Sequence, residues 1–423
     1  MKAKYLATTF TLTTLAAHAA IMDADQRGIK YLNERLTLNP YVALSYTYDS
    51  NVDSSKHSKA GSQWIVNPGL NGSYKDDNWK VDGAVWYQYH AYNRYTSQLN
   101  ESSYGERLSI DWQNANANEQ GWALKFMESF QQIAQDDDMS EHNGRGIGRD
   151  RKQFQFDGIL TRRINQQLHA GLTANYYYLD YDNNVNKYAR MYGWKRLSVG
   201  GEVGFMASKW SDIIVAADYQ WYNQDNDSDS NYHTYGASSR GRRIDSDSRG
   251  FSVMGGIATH ATEKLSYRAL AGWSRFEYGN GTKDIDGWTY NVSGRWQIDA
   301  ENTMSLMLLG SSYYQPSERE YGSALKVYTL SSGFAKSLVR NKLKATFDLA
   351  YRKETHEYTE YSEDDYDEDI ITARFGLVYD VNRVLSVYGR VEYQTEETSS
   401  GGPRSHEYDY DRWRGTVGVR MTY

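Results

Sequence analysis

The 423-residue sequence contains no cysteine. Neither a disulfide framework nor a cysteine-ligated metal site can be built from it. Proline is scarce, at four residues, so long stretches lack the residue that interrupts both helix and strand. Past its first residues the chain has no run of about 18 apolar residues, which excludes a transmembrane helix. Basic residues are outnumbered, 47 Lys and Arg against 54 Asp and Glu, a balance ill suited to nucleic acid. The few histidines fall into no His-Glu-x-x-His or other ligand spacing, so neither a metal nor a cofactor is expected. Gly144 to Arg149 resembles a phosphate loop only in glycine count, since no Lys-Ser/Thr step follows.

What the chain has in quantity is aromatic residues, at 14%, including 38 Tyr and 12 Trp. A disordered acidic chain would be poor in them. The start reads as a processing segment: Lys2 and Lys4, a neutral stretch to Ala16, then Ala17-His18-Ala19 as a small-residue cleavage site. The expected organisation is a signal peptide over 1–19, a short periplasmic lead-in over 20–35 with one helical turn, and one large β unit over 36–423.

That unit is a succession of alternating segments. A strand has a side-chain period of two, so an apolar/polar alternation marks a half-buried or lipid-facing strand. Leu36 to Asp49 sets Val42, Leu44, Tyr46 and Tyr48 against Tyr41, Ala43, Ser45 and Thr47. Leu343 to Arg352 sets Leu343, Ala345, Phe347, Leu349 and Tyr351 against Lys344, Thr346, Asp348 and Arg352. Counting such segments along the chain gives eighteen strands, one of which (about 323–337) has ambiguous parity. Connections alternate between tight turns, such as 75–78 and 380–383, and longer polar loops, three of them acidic (136–138, 225–229, 362–369). Clustered carboxylates of this kind suit solvated external loops, or bridging of lipopolysaccharide through divalent ions. The loop between the strands at 343 and 371 is expected to run from Lys353 to Glu368.

The last segment, Asp411 to Tyr423, points Trp413, Gly415, Val417, Val419, Met421 and Tyr423 one way and Arg412, Arg414, Thr416, Arg420 and Thr422 the other. It resembles the closing strand of a bacterial outer-membrane β-barrel, whose final aromatic belongs to the signal read by the barrel-assembly machinery. That resemblance implies an assembly role for Val419, Met421 and Tyr423. Strand length, aromatic strand ends and an even strand count agree with an all-β, transmembrane antiparallel barrel of about 18 strands in the outer membrane, facing lipid and lipopolysaccharide. A soluble β-sandwich would bury the apolar faces against a second sheet and would not account for strand length and aromatic ends together.

A barrel of 16 to 18 strands is too wide for side chains alone to fill. Residues on the polar faces are therefore candidates for lining a lumen: Arg196, Arg268, Arg295, Arg352, Arg374, Arg390, Arg414 and Arg420, with the acids Asp111, Glu202, Asp218, Asp348 and Glu392 and the hydrogen-bonding groups of Tyr41, His90, Tyr177 and Tyr388. Two readings of the arginines stand. They favour anionic solutes in a positive lumen, or they pair with acids across neighbouring strands and stiffen a hydrated wall. No catalytic motif is present and no enzyme is expected.

Tyr48-Asp49-Ser50-Asn51-Val52 resembles the Tyr-Asp-Asp-Asn-Val pattern of a family of outer-membrane β-barrel porins associated with exopolysaccharide export, with Ser50 in place of an acid. The resemblance implies a porin passing an anionic polysaccharide or other anionic solute, alongside polysaccharide-secretion components. An adhesin or envelope scaffold acting through the acidic loops is the alternative.

Overall fold

In the computed structural model, residues 28–32, 34–51, 60–93, 101–114, 120–133, 151–181, 193–224, 247–259, 261–262, 264–278, 284–299, 304–316, 324–340, 342–357, 366–399 and 409–423 are described. The segment expected to be a signal peptide, the acidic stretches 136–138, 225–229 and 362–365, the Gly144–Arg149 stretch and Val52 lie outside them. Among the described residues no helix is long and apolar enough to cross a membrane.

The strands are β1 (Ile29–Tyr31), β2 (Leu36–Asp49), β3 (Gly61–Lys75), β4 (Trp79–Tyr92), β5 (Glu101–Gln113), β6 (Gly121–Ile133), β7 (Arg151–Arg163), β8 (Leu168–Tyr181), β9 (Trp194–Ser208) and β10 (Ser211–Gln224). They continue as β11 (Asp247–Thr259), β12 (Leu265–Tyr278), β13 (Ile285–Gln297), β14 (Met304–Pro316), β15 (Ala324–Val339), β16 (Leu343–Glu357), β17 (Tyr366–Asp380), β18 (Leu385–Thr398) and β19 (Tyr410–Thr422). From β2 onward each strand pairs antiparallel with the next, and β19 returns to pair with β2. The eighteen strands β2–β19 thus close on themselves, so no strand is left with a whole edge open to lipid.

β1 stands outside the ring. Ile29, Lys30 and Tyr31 pair with Leu38, Thr37 and Leu36. In the described part of the lead-in a strand stands at 29–31; residues 20–27, where the expected helical turn also falls, lie outside the described residues. The reason for the strand is an open edge: the pairing of β19 with β2 ends at Thr422↔Tyr41, with Tyr423 N donating to Pro40 O at 3.0 Å. Leu36–Leu38 would otherwise present unpaired backbone, and β1 covers it.

Burial is inverted relative to a water-soluble protein. Exposed large apolar residues include Leu172, Val203, Val215, Trp288, Val417 and Met421, while the buried set among the described residues is mostly polar, with Asp49, Gln155, Asn175, Glu354, Glu368, Glu392 and Arg412 in it. A continuous apolar outer band of this size is stable only against lipid. Aromatics bracket it at both ends. Trp79 and Trp112 meet at 6.0 Å between ring centres near the short turns. Tyr393–Trp413 at 4.7 Å and Trp273–Trp288 at 5.9 Å lie toward the long loops. Short turns mark the periplasmic end of such barrels and long loops the outside. The chain is an outer-membrane β-barrel of the porin-like, eighteen-strand kind.

Several strands run past that band. β16 continues to Glu357 and β17 already begins at Tyr366, so 353–357 and 366–368 of the stretch expected as a loop are strand. Beyond the bilayer both faces of a strand meet water or polar neighbours, so alternation no longer marks the strand's end.

Candidate functional site: the inner wall

The eight arginines expected on the lumen side lie on inward-facing positions of their strands. The structure divides them between two regions. On β16–β19 and β2, register brings opposite charges into line. Asp49 stands opposite Arg414, Arg414 opposite Glu392, Glu392 opposite Arg374, and Arg374 opposite Asp348. Arg374 Nε and Arg390 NH2 each reach Glu392 Oε2 at 2.5 Å, and Arg414 NH1 lies 3.9 Å from Glu392 Oε1. Arg414 Nε also donates to Asp49 Oδ2 at 3.2 Å. Arg412 grips the same carboxylate through Nε, at 3.0 Å to Oδ1 and 2.8 Å to Oδ2. Strand period places Arg390 and Glu392, like Arg412 and Arg414, on one face two residues apart. The antiparallel register then sets them side by side.

Glu392 is 5% exposed and gathers three guanidinium groups. Buried charges persist only when paired and hydrogen-bonded, and this ladder meets that requirement from β17 through β18 and β19 to β2, with Asp348 on β16 standing opposite Arg374 in register. Toward the external end, Arg352 pairs with Glu354 on β16. Toward the periplasm, Arg420 lies over the Tyr41 ring, 4.0 Å from its centre. Arg295 differs from the rest: it is exposed and forms no ion pair among the described residues.

The opposite region spans β7–β14. Arg196 NH2 donates to Asn175 Oδ1 at 2.6 Å, and Asn175 Nδ2 in turn donates to Asp157, which also accepts from Gln155 at 2.6 Å. Arg268 on β12 bridges to Glu202 on β9 at 2.7 Å, reaching over the inner faces of β10 and β11. The wall must be sharply curved here for that pair to form. An aromatic chain lines the external end of the same corner: Tyr177–Trp194 at 4.6 Å, Trp194–Tyr222 at 6.0 Å, Tyr222–Phe276 at 5.1 Å and Phe276–Tyr314 at 6.3 Å.

Tyr314 belongs to a strand that leaves its neighbour. β13 and β14 pair only from Asn291↔Ser311 to Gln297↔Ser305; beyond, 312–316 pairs with β15 alone. Side-chain bonds replace the ladder, with Thr289 Oγ1 donating to Ser312 O at 2.7 Å and Tyr290 N to Ser312 Oγ at 3.0 Å. The freed end turns inward. Tyr222 OH donates to Tyr314 O at 2.9 Å across three intervening strands. Gly287 lies beneath it: a Cβ there would sit 3.0 Å from Tyr314 OH and 2.8 Å from Lys326 Nζ, the outer ends of two side chains. Beneath the aromatics lies a recess of about 190 Å³ whose lining includes Asn175, Arg196, Asp218, Arg268 and Asn291.

Of the other residues expected to face inward, His90 is buried and its Nδ1 pairs with Gln63 Oε1 at 2.9 Å. Tyr177 joins the aromatic chain. Sequence reasoning named Asp49 only as part of the Tyr48–Val52 motif and Arg412 only on the polar face of the last strand, and it did not single out Asp157, Tyr222 or Tyr314. Period two relates Arg412 to Arg414 and was the available signal; nothing local reports the inward turn of Tyr314. Among the described residues, no group of three or more His, Asp or Glu is arranged to hold a metal ion.

Residues 215–423 match the model of the family described as Putative beta-barrel porin 2. No curated protein matches the chain. Among solved structures it is similar to the outer-membrane channel DcaP of Acinetobacter baumannii, at 12% identity over 94% of this chain and 99% of that one, with a TM-score of 0.39. It is also similar to OpdK of Pseudomonas aeruginosa, at 11% identity over 91% and 99% with a TM-score of 0.42. OccK2 (OpdF) of Pseudomonas aeruginosa, solved with glucuronate, gives 12% over 93% and 98% with a TM-score of 0.42. At these identities and scores no residue's role carries over to this chain.

Proposed function

We propose that this protein is a passive outer-membrane channel with a mild preference for small anionic solutes. The observation that carries the reading is the charge ladder. In the ladder Arg374, Arg390, Arg412 and Arg414 are set against Asp49, Asp348 and Glu392, four positive charges against three negative, and the acids Glu354, Glu368 and Glu396 lie buried nearer the external end. Charged rings set selectivity in pores, and a nearly neutralised ring sets it weakly. Arg295, exposed on the same face near the periplasmic end, adds to the positive sign.

The finer reading, an anionic exopolysaccharide as cargo and secretion components as partners, rests on the resemblance at Tyr48–Val52. Tyr423, Met421 and Val419 are exposed on the outer face of β19, where assembly machinery has access to them, and we assign them the assembly signal. Planar-bilayer recording of the purified barrel under a salt gradient tests the channel. A conducting pore with a reversal potential modestly on the anion side is expected. Silence of the folded protein overturns the channel and leaves the surface-scaffold reading, while cation preference overturns only the sign.

A further inference from the structure

Within the Tyr48–Val52 stretch, which resembles a family pattern, the proposed conduction uses only the charge of Asp49. Its geometry concerns the barrel's closure. Asp49 is the last residue of β2 and stands opposite Arg414, where the β2–β19 pairing ends. Its carboxylate takes the Arg412 guanidinium through both oxygens and also receives Arg414. Asn51 N donates to Asp49 Oδ1 at 2.9 Å, which fixes the carboxylate from its own side. Asn51 Nδ2 reaches Asp411 O at 3.4 Å. Ser50 N donates to Trp413 O at 2.9 Å, and Trp413 N donates to Ser50 Oγ at 2.7 Å. Each described residue from Asp49 to Asn51 therefore engages 411–414. Ser50 acts as an acceptor, a role that an acid at that position also fills.

We propose that Asp49–Asn51 and Asp411–Arg414 form a latch that closes the barrel at the external end of its seam. The partners lie 363 positions apart, so the seam bears the largest loop-closure cost of any strand pair. A strand pair opens most readily at its ends, and this end carries a buried, charge-assisted bidentate bond, the strong kind. The periplasmic end of the seam is held by backbone bonds and by Arg420 over the Tyr41 ring instead. The inference is independent of what the channel passes.

The full-length protein, folded in detergent, tests it through the rate at which the fast-migrating folded band is lost on heating. Asp49→Asn keeps the shape but removes the charge. Breaking a buried ion pair is expected to raise that rate by on the order of a hundred-fold. Thr47 and Thr416 face each other across the seam with hydroxyl oxygens 2.9 Å apart. Because the chain has no cysteine, Thr47→Cys with Thr416→Cys introduces a single possible bridge. Oxidised, it is expected to return Asp49→Asn to near the native rate, and reduced, it is not. The same bridge is expected to leave Glu202→Gln, which breaks the distant Arg268 pair, uncorrected. An unchanged rate in Asp49→Asn overturns the latch, as does equal rescue of both variants. If Asp49→Asn does not assemble, oxidised bridging must restore assembly, and failure to do so overturns it too.

Discussion

Between β16 and β2 the inner wall is held by charge, and at the external end between β9 and β14 by aromatic contact. In the first region each strand keeps full register with its neighbour, and the side chains on one level alternate in sign. In the second, β14 abandons β13 after Ser311, and Tyr314 buries itself against Phe276 and Tyr222. A charge ladder needs regular strands, because ion pairs are directional and short. Apolar burial is non-directional, so it tolerates, and here stabilises, a departure from the ladder. The regular side keeps its strands in register; the irregular side brings Tyr314 across to Tyr222.

The largest expected effect is at the centre of the first region. Glu392→Gln leaves Arg374, Arg390 and Arg414 without their shared carboxylate, and removing one partner of a buried pair costs about 3–5 kcal/mol. Denaturant midpoints should fall accordingly, and the reversal potential should move toward anions. Stability lost without a selectivity change would show that the ladder does not face the conducting path. Next comes Phe276→Ala, at about 3 kcal/mol for a buried aromatic. Single-channel conductance should rise as Tyr314 loses its seat; unchanged conductance would mean that the corner lies off the path. Tyr222→Phe removes the hydroxyl that bonds both Tyr314 O and Gln220 Oε1 and should cost about 1 kcal/mol, with a smaller conductance gain in the same assay. The smallest effect is expected for Arg295→Gln: no change in melting, and a slight loss of anion preference. A melting shift as large as that of Phe276→Ala would show that Arg295 is a structural residue after all.

The two regions were unequally legible before the fold was known. On β16–β19, period two identified Asp348, Arg374, Arg390, Glu392 and Arg414 as sharing a face, and all of them do. Which acid meets which arginine depends on register, and register is set by turns and neighbouring strands. The corner was less legible. Continuing the period of Met304, Leu306 and Leu308 puts Tyr314 on the lipid face, but the broken pairing after Ser311 turns it inward. Strand ends were also misjudged, as at Lys353–Glu357 and Tyr366–Asp369, because alternation fades where both faces are wet.

The sequence by itself determined that this chain is a barrel. A repeated apolar/polar period with no apolar helix and an even strand count leaves closed antiparallel pairing as the arrangement that satisfies every backbone group in lipid. The tertiary structure alone decided that Asp49 clasps Arg412, that Glu392 gathers three arginines and that Tyr314 crosses to Tyr222. Those contacts join residues far apart in the chain, and their partners are chosen by register and wall curvature, which no local pattern records.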